Sequence, residues 1–294
     1  MDYFLLILYV AMNSSQFIFS SLYNRRQKNA DPYLCTLLIG ATVLVFYAIY
    51  GQFRFEYDDT TLLYGLLFGG AYCVGYIFQI KALKVGSVSL TSLLLSYSLI
   101  VPILFGVIYY HDGVGIPFWI GLGLLVVALF LVNFNPADKT ASSSDKKNKI
   151  LWLVFALLSF CGNAACIICA TMQQKITGGG HRFEFMTYAM AVVIVVNLTL
   201  TLLYNKKTGV TLPSLKRGWW CAVILGLLNG ATNLCYMILA AGGNIPVAFI
   251  NSFNSAGSLL LTFLLARFIF KEKLRPLQLV GFLIGVVSVV LFTL

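Results

Sequence analysis

Long apolar runs, separated by short polar or charged stretches, fill the chain from one end to the other. Each run is close to the roughly 20 residues that an α-helix needs to cross a bilayer. Ten such runs can be counted, and each predicts a transmembrane helix. The runs occupy residues 2–22, 33–51, 61–81, 88–109, 117–135, 150–172, 185–204, 219–241, 248–270 and 276–294.

The composition leads to the same class of protein. Of the 294 residues, 60% are hydrophobic and 10% are charged, whereas soluble domains carry about 25% charged residues. No water-soluble fold can bury this share of apolar surface, which excludes a soluble enzyme, a disordered chain and a nucleic-acid-binding domain. We therefore expect an all-α polytopic membrane protein that is surrounded by membrane lipid and has no nucleic-acid partner.

The basic residues predict the orientation of the ten spans. The formal net charge of +10 reflects 20 Lys and Arg against 10 Asp and Glu. Seventeen of the basic residues fall in loops on one side, and the other side holds only Arg54, Lys175 and Arg182. Loops rich in Lys and Arg stay in the cytoplasm, so both termini are expected to be extracytoplasmic. The expected location is the inner, or plasma, membrane of a bacterium.

The chain also contains an internal repeat. A shift of 160 residues aligns the third to fifth spans with the eighth to tenth, placing Tyr76 on Tyr236 and Gly121 on Gly281. The polar linker 136–149 separates a first five-helix repeat, 1–135, from a second, 150–294. Because five is odd, the second repeat must be inverted relative to the first, an arrangement found in many secondary transporters.

The last two spans carry the most specific signal. A short turn that contains Glu272 precedes a final helix with Gly281 and Gly285, and a weaker echo of this pattern runs from Gly70 through Gly86 to Gly121. This pattern resembles the drug/metabolite transporter superfamily, in particular its ten-helix EamA-like family. The resemblance implies a transporter of small organic solutes.

Polar side chains inside the spans are the candidate functional residues, since they are costly in lipid unless they pack inside the bundle or line a cavity. On the eighth and ninth spans they recur at i, i+3, i+4 and i+7, so each span has one polar face. Interhelical packing and a substrate cavity both remain open as explanations. The candidate substrate-binding residues are Asn13, Gln16, Tyr76, Ser92, Asn163, Asn229, Asn233, Tyr236, Asn251, Asn254 and Ser255.

The chemistry of these side chains restricts the solute. No Asp, Glu, Lys or Arg lies near the middle of a predicted span, which disfavours proton exchange through a buried carboxylate and a strongly anionic substrate. Amides, hydroxyls and aromatic rings suit a neutral or zwitterionic metabolite. His111 and His181 are isolated loop residues and Gly178–Gly180 is expected to be a flexible turn, so we expect no metal and no cofactor.

Taken together, these features predict a secondary transporter that moves small polar or amphipathic organic metabolites by alternating access through a central site. The sequence shows no catalytic constellation, and we expect no enzymatic activity. A membrane enzyme acting on a lipid-linked substrate and a membrane receptor or scaffold that transports nothing remain the alternatives. The sequence makes no prediction about the oligomeric state of the protein.

The orientation can be tested with a reporter fused after Leu294. Because the basic loops are expected in the cytoplasm, a reporter that is active only outside the cytoplasm should be active in this fusion. Activity of a cytoplasm-only reporter at the same position, with the other reporter silent, would contradict the charge distribution or the number of spans.

Overall fold

The structure is a computed structural model that describes residues 2–26, 32–85, 97–133, 146–208, 219–270 and 276–292. Over these residues the chain forms ten α-helices and no strand. The helices are α1 (Asp2–Arg26), α2 (Pro32–Tyr50), α3 (Asp59–Val85), α4 (Ile100–Tyr109), α5 (Ile116–Asn133), α6 (Lys146–Ile176), α7 (Arg182–Thr208), α8 (Trp219–Gly242), α9 (Val247–Phe270) and α10 (Pro276–Phe292).

The all-α class and the ten helices agree with the prediction. The predicted fourth span, 88–109, differs: residues 88–96 lie outside the described residues, a turn follows at 98–99, and α4 begins only at Ile100. α8 and α9 begin and end within one residue of the predicted spans. α6 and α7 are longer than predicted, because the apolar runs end before the helices do. In α6 the helix continues through Gln173 and Gln174, two polar residues that are fully buried.

Several helices are suited to a bilayer by their length and composition. Within the described residues, five stretches are long and apolar enough to cross a membrane, and α4, α5 and α10 contain shorter apolar helices. The five stretches are Tyr33–Tyr50, Asp59–Gln79, Ile150–Ile176, Arg182–Leu203 and Trp219–Gly242. The chain is an integral membrane protein.

The surface of α10 illustrates how the helices meet lipid. Leu279, Leu283 and Val287 are 49%, 57% and 50% exposed, whereas Gly281 and Ser288 on the same helix are buried. This distribution is the reverse of that in a soluble protein, since the large apolar residues point outward and the small ones point inward. Lipid provides the surroundings that such a face requires, and small residues let neighbouring helices approach.

The described contacts divide the chain into two compact units. Unit 1 comprises Met1–Cys73 and Cys169–Gly242, and unit 2 comprises Val74–Ile168 and Gly243–Leu294. Each unit therefore combines segments from both halves of the sequence. This division concerns contacts rather than sequence symmetry, so the repeats 1–135 and 150–294 remain a prediction.

In unit 1, α8 packs against α1 and α2, and α2 also packs against α7. A glycine makes the closest of these approaches possible. A Cβ added at Gly226 of α8 would lie 2.5 Å from Thr42 Cβ and 3.0 Å from the Ile39 carbonyl oxygen, both on α2. The Tyr47 hydroxyl of α2 donates a hydrogen bond to the Gly230 carbonyl of α8 at 3.2 Å.

In unit 2, α5 packs against α10, and α9 packs against α4 and α10. The Ser288 hydroxyl of α10 donates to the Gly121 carbonyl of α5 at 2.8 Å. At the start of α9 the Asp112 carboxylate accepts the Ala248 N–H at 2.8 Å. A carboxylate at a helix N-terminus satisfies a free N–H and interacts favourably with the helix dipole.

The glycine contact between α2 and α8 predicts a difference between two matched variants. Gly226→Ala should lower the free energy of unfolding by about 1–3 kcal/mol, the usual cost of overpacking. Gly70→Ala is the control, since nothing lies within 4 Å of a Cβ added there. Because Ala has the higher helix propensity, the control should be neutral or more stable by up to about 1 kcal/mol. Denaturation of both variants in detergent measures the difference, and equal stabilities would contradict the close approach.

Candidate functional site

Four of the polar residues in unit 1 form one hydrogen-bonded group, which we name the α1–α8 cluster: Gln16, Asn229, Thr232 and Asn233. The Gln16 amide of α1 bonds to α8 at both ends. Its Nε2 donates to Thr232 Oγ1 at 2.9 Å, and its Oε1 accepts from Asn229 Nδ2 at 3.1 Å. The sequence predicts that Asn229, Thr232 and Asn233 share a face of α8, and all three belong to this cluster.

The α1–α8 cluster lies within an apolar stretch of helix. Asn229 and Thr232 are 9% and 7% exposed. Asn233 is half-buried, and its Nδ2 donates to the backbone oxygen and to Oδ1 of Asn229 at 2.9 and 3.1 Å. In the part of the chain that the structure describes, no group donates to Asn233 Oδ1. The cluster thus contains an acceptor that a bound solute can use.

Aromatic residues adjoin the polar face of α8 one turn further on. The Tyr236 hydroxyl forms a short hydrogen bond with Thr171 Oγ1 of α6. The ring centroids of Tyr236 and Tyr9, on α1, are 5.7 Å apart. Tyr236 is buried, so it supplies a wall of unit 1 rather than a free hydroxyl.

In unit 2 the predicted residues of α9 are all buried: Asn251 is 0%, Asn254 is 2% and Ser255 is 5% exposed. Two hydrogen bonds of this face run along α9, from Asn251 Nδ2 to the Val247 oxygen at 3.0 Å and from Ser258 Oγ to Asn254 Oδ1 at 3.0 Å. Within the described structure, Asn251 Oδ1 and Ser252 Oγ are buried and have no hydrogen-bond partner. α9 therefore carries buried polar atoms that form no hydrogen bond within the described structure.

The remaining candidate residues are Asn163, Tyr76, Asn13 and Ser92. Asn163 of α6 is half-buried beside Gly75 of α3, where an added Cβ would lie 3.6 Å from Asn163 Oδ1. Tyr76 of α3 and Asn13 of α1 are half-buried. Ser92 lies outside the described residues. The convergence of the α8 and α9 faces on one cavity stays a prediction.

Sequence reasoning missed a second polar group in unit 1, formed by residues 51–58 and 177–184, which we name the loop cap. Its hydrogen bonds start at Arg182, whose Nε donates to Gln174 Oε1 at 2.9 Å. Gln174 in turn bonds to Gln173, which donates to Thr61 Oγ1 of α3 at 3.1 Å. The adjacent glutamines at the end of the sixth span were the available signal.

The two loops of the cap are held together by a carboxylate. Glu184, 6% exposed, accepts the Glu56 N–H at 3.1 Å and lies 3.9 Å from His181 Nδ1. His181 is half-buried and lies beside the Glu184 carboxylate, so it is not a simple surface residue. The turn Gly178–Gly180 is also held in place, since the Gly179 N–H donates to the backbone oxygen of Gln174 at 2.9 Å.

A carboxylate also fixes the start of α3 in this cap. Asp58 Oδ2 accepts the Thr61 N–H at 2.7 Å. Hydrogen bonds from the Thr61 side chain and N–H hold the pKa of Asp58 below its usual value. Asp58 consequently stays ionised at neutral pH and caps the helix.

Comparison with known proteins agrees with the predicted resemblance. Residues 1–134 match the model of the EamA-like transporter family, which is consistent with membership of the drug/metabolite transporter superfamily. The fold matches a solved crystal structure of a protein with a TM-score of 0.76 and 11% sequence identity, covering 99% of this chain and 95% of the other. At that identity the likeness concerns the fold alone. No curated protein matches the sequence.

The bond between α1 and α8 can be measured with a double-mutant cycle of Gln16→Leu and Asn229→Leu. We expect a coupling energy near the roughly 0.6 kcal/mol average of hydrogen bonds between membrane helices. The control cycle pairs Ser15→Ala with Asn229→Leu, because the Ser15 hydroxyl bonds the Ala11 oxygen within α1. Its coupling should be near zero, and equal couplings in the two cycles would show that Gln16 does not bridge the helices.

Proposed function

We propose that this chain, whose residues 1–134 match the model of the EamA-like transporter family, moves small polar or amphipathic organic metabolites across the membrane by alternating access. The family match indicates a membrane transporter of the drug/metabolite type. The solute, the direction of transport and the mechanism are our proposal. We assign the protein no catalytic role.

The observation that carries the proposal is the α1–α8 cluster. Packing alone would favour polar groups that satisfy one another fully, because an unmet polar group in an apolar environment is costly. Gln16 uses both ends of its amide, but Asn233 Oδ1 receives no hydrogen bond in the described structure and the side chain is half-buried. A hydroxyl or ammonium group of a solute would supply the missing donor.

The cluster also provides a means of coupling binding to movement. Gln16 holds α1 to α8 through two neutral hydrogen bonds, each of which contributes only about 1 kcal/mol. A solute that bonds to the same amides can replace these contacts at little net cost. A ligand shifts a conformational equilibrium only by its differential affinity for the two states, and this exchange of partners supplies such a difference.

The chemistry of the cluster favours a neutral or zwitterionic solute. The four residues offer amides and a hydroxyl but no formal charge, so a bare anion would find no compensating cation there. Asp112, the carboxylate near the start of α9, is already bonded to the Ala248 N–H. We therefore expect transport that does not rely on a carboxylate buried at mid-membrane.

The topology belongs to the same proposal. Two inverted five-helix repeats, with both termini outside the cytoplasm, would expose a central site to each side in turn. The alignment of the third to fifth with the eighth to tenth spans and the uneven distribution of basic residues support this topology.

The proposed site can be tested by cysteine labelling in a background that lacks the seven native cysteines. A thermal-shift screen of a metabolite library against purified protein, followed by flux into liposomes, first identifies a transported solute. Asn233→Cys should then react with a charged, membrane-impermeant thiol reagent, and the solute should slow this reaction because both occupy the same space.

Leu227→Cys is the control, since Leu227 is 46% exposed on the apolar surface of α8 and a charged reagent does not enter lipid. Asn233→Leu should also reduce flux while leaving the protein folded. If Asn233→Cys is as inert as Leu227→Cys in a protein that transports, the α1–α8 cluster is not the solute site.

A further inference from the structure

The loop cap contains a polar cavity that the proposed transport mechanism does not use. Its volume is about 340 Å³, at the lower end of the range of roughly 300–1,000 Å³ for small-molecule sites. Side chains of both charges line it, and all of them belong to unit 1. The lining residues are Tyr50, Gly51, Arg54, Glu56, Gly179, Gly180, His181, Arg182, Phe183 and Glu184.

The positive side of the cavity consists of Arg54 and Arg182. These are two of the three basic residues outside the predicted cytoplasmic loops. Among the residues that the structure describes, no carboxylate forms an ion pair with either guanidinium. The Arg182 guanidinium is half-buried, which is unfavourable without a counter-charge, and the planar donors of both arginines match a carboxylate.

Arg182 is held in one position before any ligand arrives. Its Nε donates to Gln174 Oε1 at 2.9 Å, and Gln174 is completely buried. The guanidinium lies over Gly179, where an added Cβ would come within 2.7 Å of Nη2. Gly179 also has a φ of +84°, so both the space and the backbone conformation require glycine there.

The negative side offers one carboxylate that remains available. Glu184 is occupied, since it accepts the Glu56 N–H at 3.1 Å and faces His181. The side chain of Glu56 is exposed and has no ion pair among the residues that the structure describes. It can therefore accept a hydrogen bond from an ammonium group.

Packing and hydrogen bonds hold the two segments that line the cavity, and a preorganised site lowers the entropy cost of binding. The Phe55 ring packs edge-on against Phe183 and Tyr188, at centroid distances of 6.0 and 5.4 Å. The Arg54 N–H donates to the Gly51 oxygen at 3.0 Å. Contacts within the loop cap and with Tyr188 of α7 thus hold both segments in place.

We propose that this cavity binds a small zwitterionic solute, with its carboxylate at Arg182 and Arg54 and its ammonium group at Glu56. The inference rests on the proposed transport function, for which the cavity serves as a loading site on the side of the membrane opposite the basic loops. It refines the solute class from neutral or zwitterionic to zwitterionic.

The test uses the full chain in lipid nanodiscs and isothermal titration with each of the twenty common L-α-amino acids as probes. At least one should bind. Arg182→Gln should weaken that binding about tenfold or more, the usual effect of losing a hydrogen bond to a charged group. Arg54→Gln and Glu56→Gln remove exposed charges, so each should weaken it about threefold to fivefold. The amine and the carboxylic acid that each lack one charged group of the bound amino acid should bind more weakly than the parent.

Lys175→Gln is the matched control, because it removes a positive charge from the same predicted side but Lys175 does not line the cavity. It should change the affinity by less than about twofold, since screening weakens distant charges. Arg182 also orients Gln174, so a loss of folding in Arg182→Gln is judged from its melting temperature. The exposed Arg54 and Glu56 then decide the result.

The proposal is overturned if none of the twenty amino acids binds, or if Arg54→Gln and Glu56→Gln have no more effect than Lys175→Gln. Flux measurements separate this failure from a failure of the transport function. Flux that depends on Asn233 but is unchanged in the cavity variants leaves transport intact and removes the cavity. Binding that depends on Arg54, with no flux of the bound amino acid, keeps the cavity and removes transport.

Discussion

A polar side chain in the hydrocarbon core of a bilayer has no water to bond, so the protein itself must supply its partner. Three contacts between helices meet this need in the same way, by ending on the carbonyl of a glycine. Ser159 bonds to Gly75 at 2.7 Å and Ser288 bonds to Gly121 at 2.8 Å, and Tyr47 reaches the carbonyl of a glycine in α8. Glycine lets the backbone come close enough for a short hydroxyl side chain to reach it.

Where this need is not met, the polar group is available for something else. Among the described residues, unused amide acceptors occur in both units: Oδ1 of Asn197 and of Asn233 in unit 1, and Oδ1 of Asn251 in unit 2. By contrast, the side chains of Gln16 and Ser159 form hydrogen bonds with neighbouring helices. The distinction between packing and binding therefore lies in individual atoms rather than in whole polar faces, since Asn229, which bonds to Gln16, lies on the same face of α8 as Asn233.

The positions of the helices could be predicted because a span is a property of contiguous residues. The end of α6 could not, since Gln173 is polar in sequence yet buried by a bond to Thr61, which lies 112 residues away. The polar face of α8 was predictable from its spacing alone. Its contact with Gln16 was not, because Asn229 lies 213 residues further along the chain and periodicity carries no information about distant partners.

Within the loop cap, Gly51 lies against the Phe183 ring, and this contact constrains how this protein can change in evolution. A Cβ at residue 51 would overlap the Phe183 ring, so a larger residue at 51 is tolerated only after residue 183 has become smaller. The reverse order passes through a clash. Homologous chains should therefore show these two positions varying together, with the change at 183 preceding the change at 51 in any lineage that has lost the glycine.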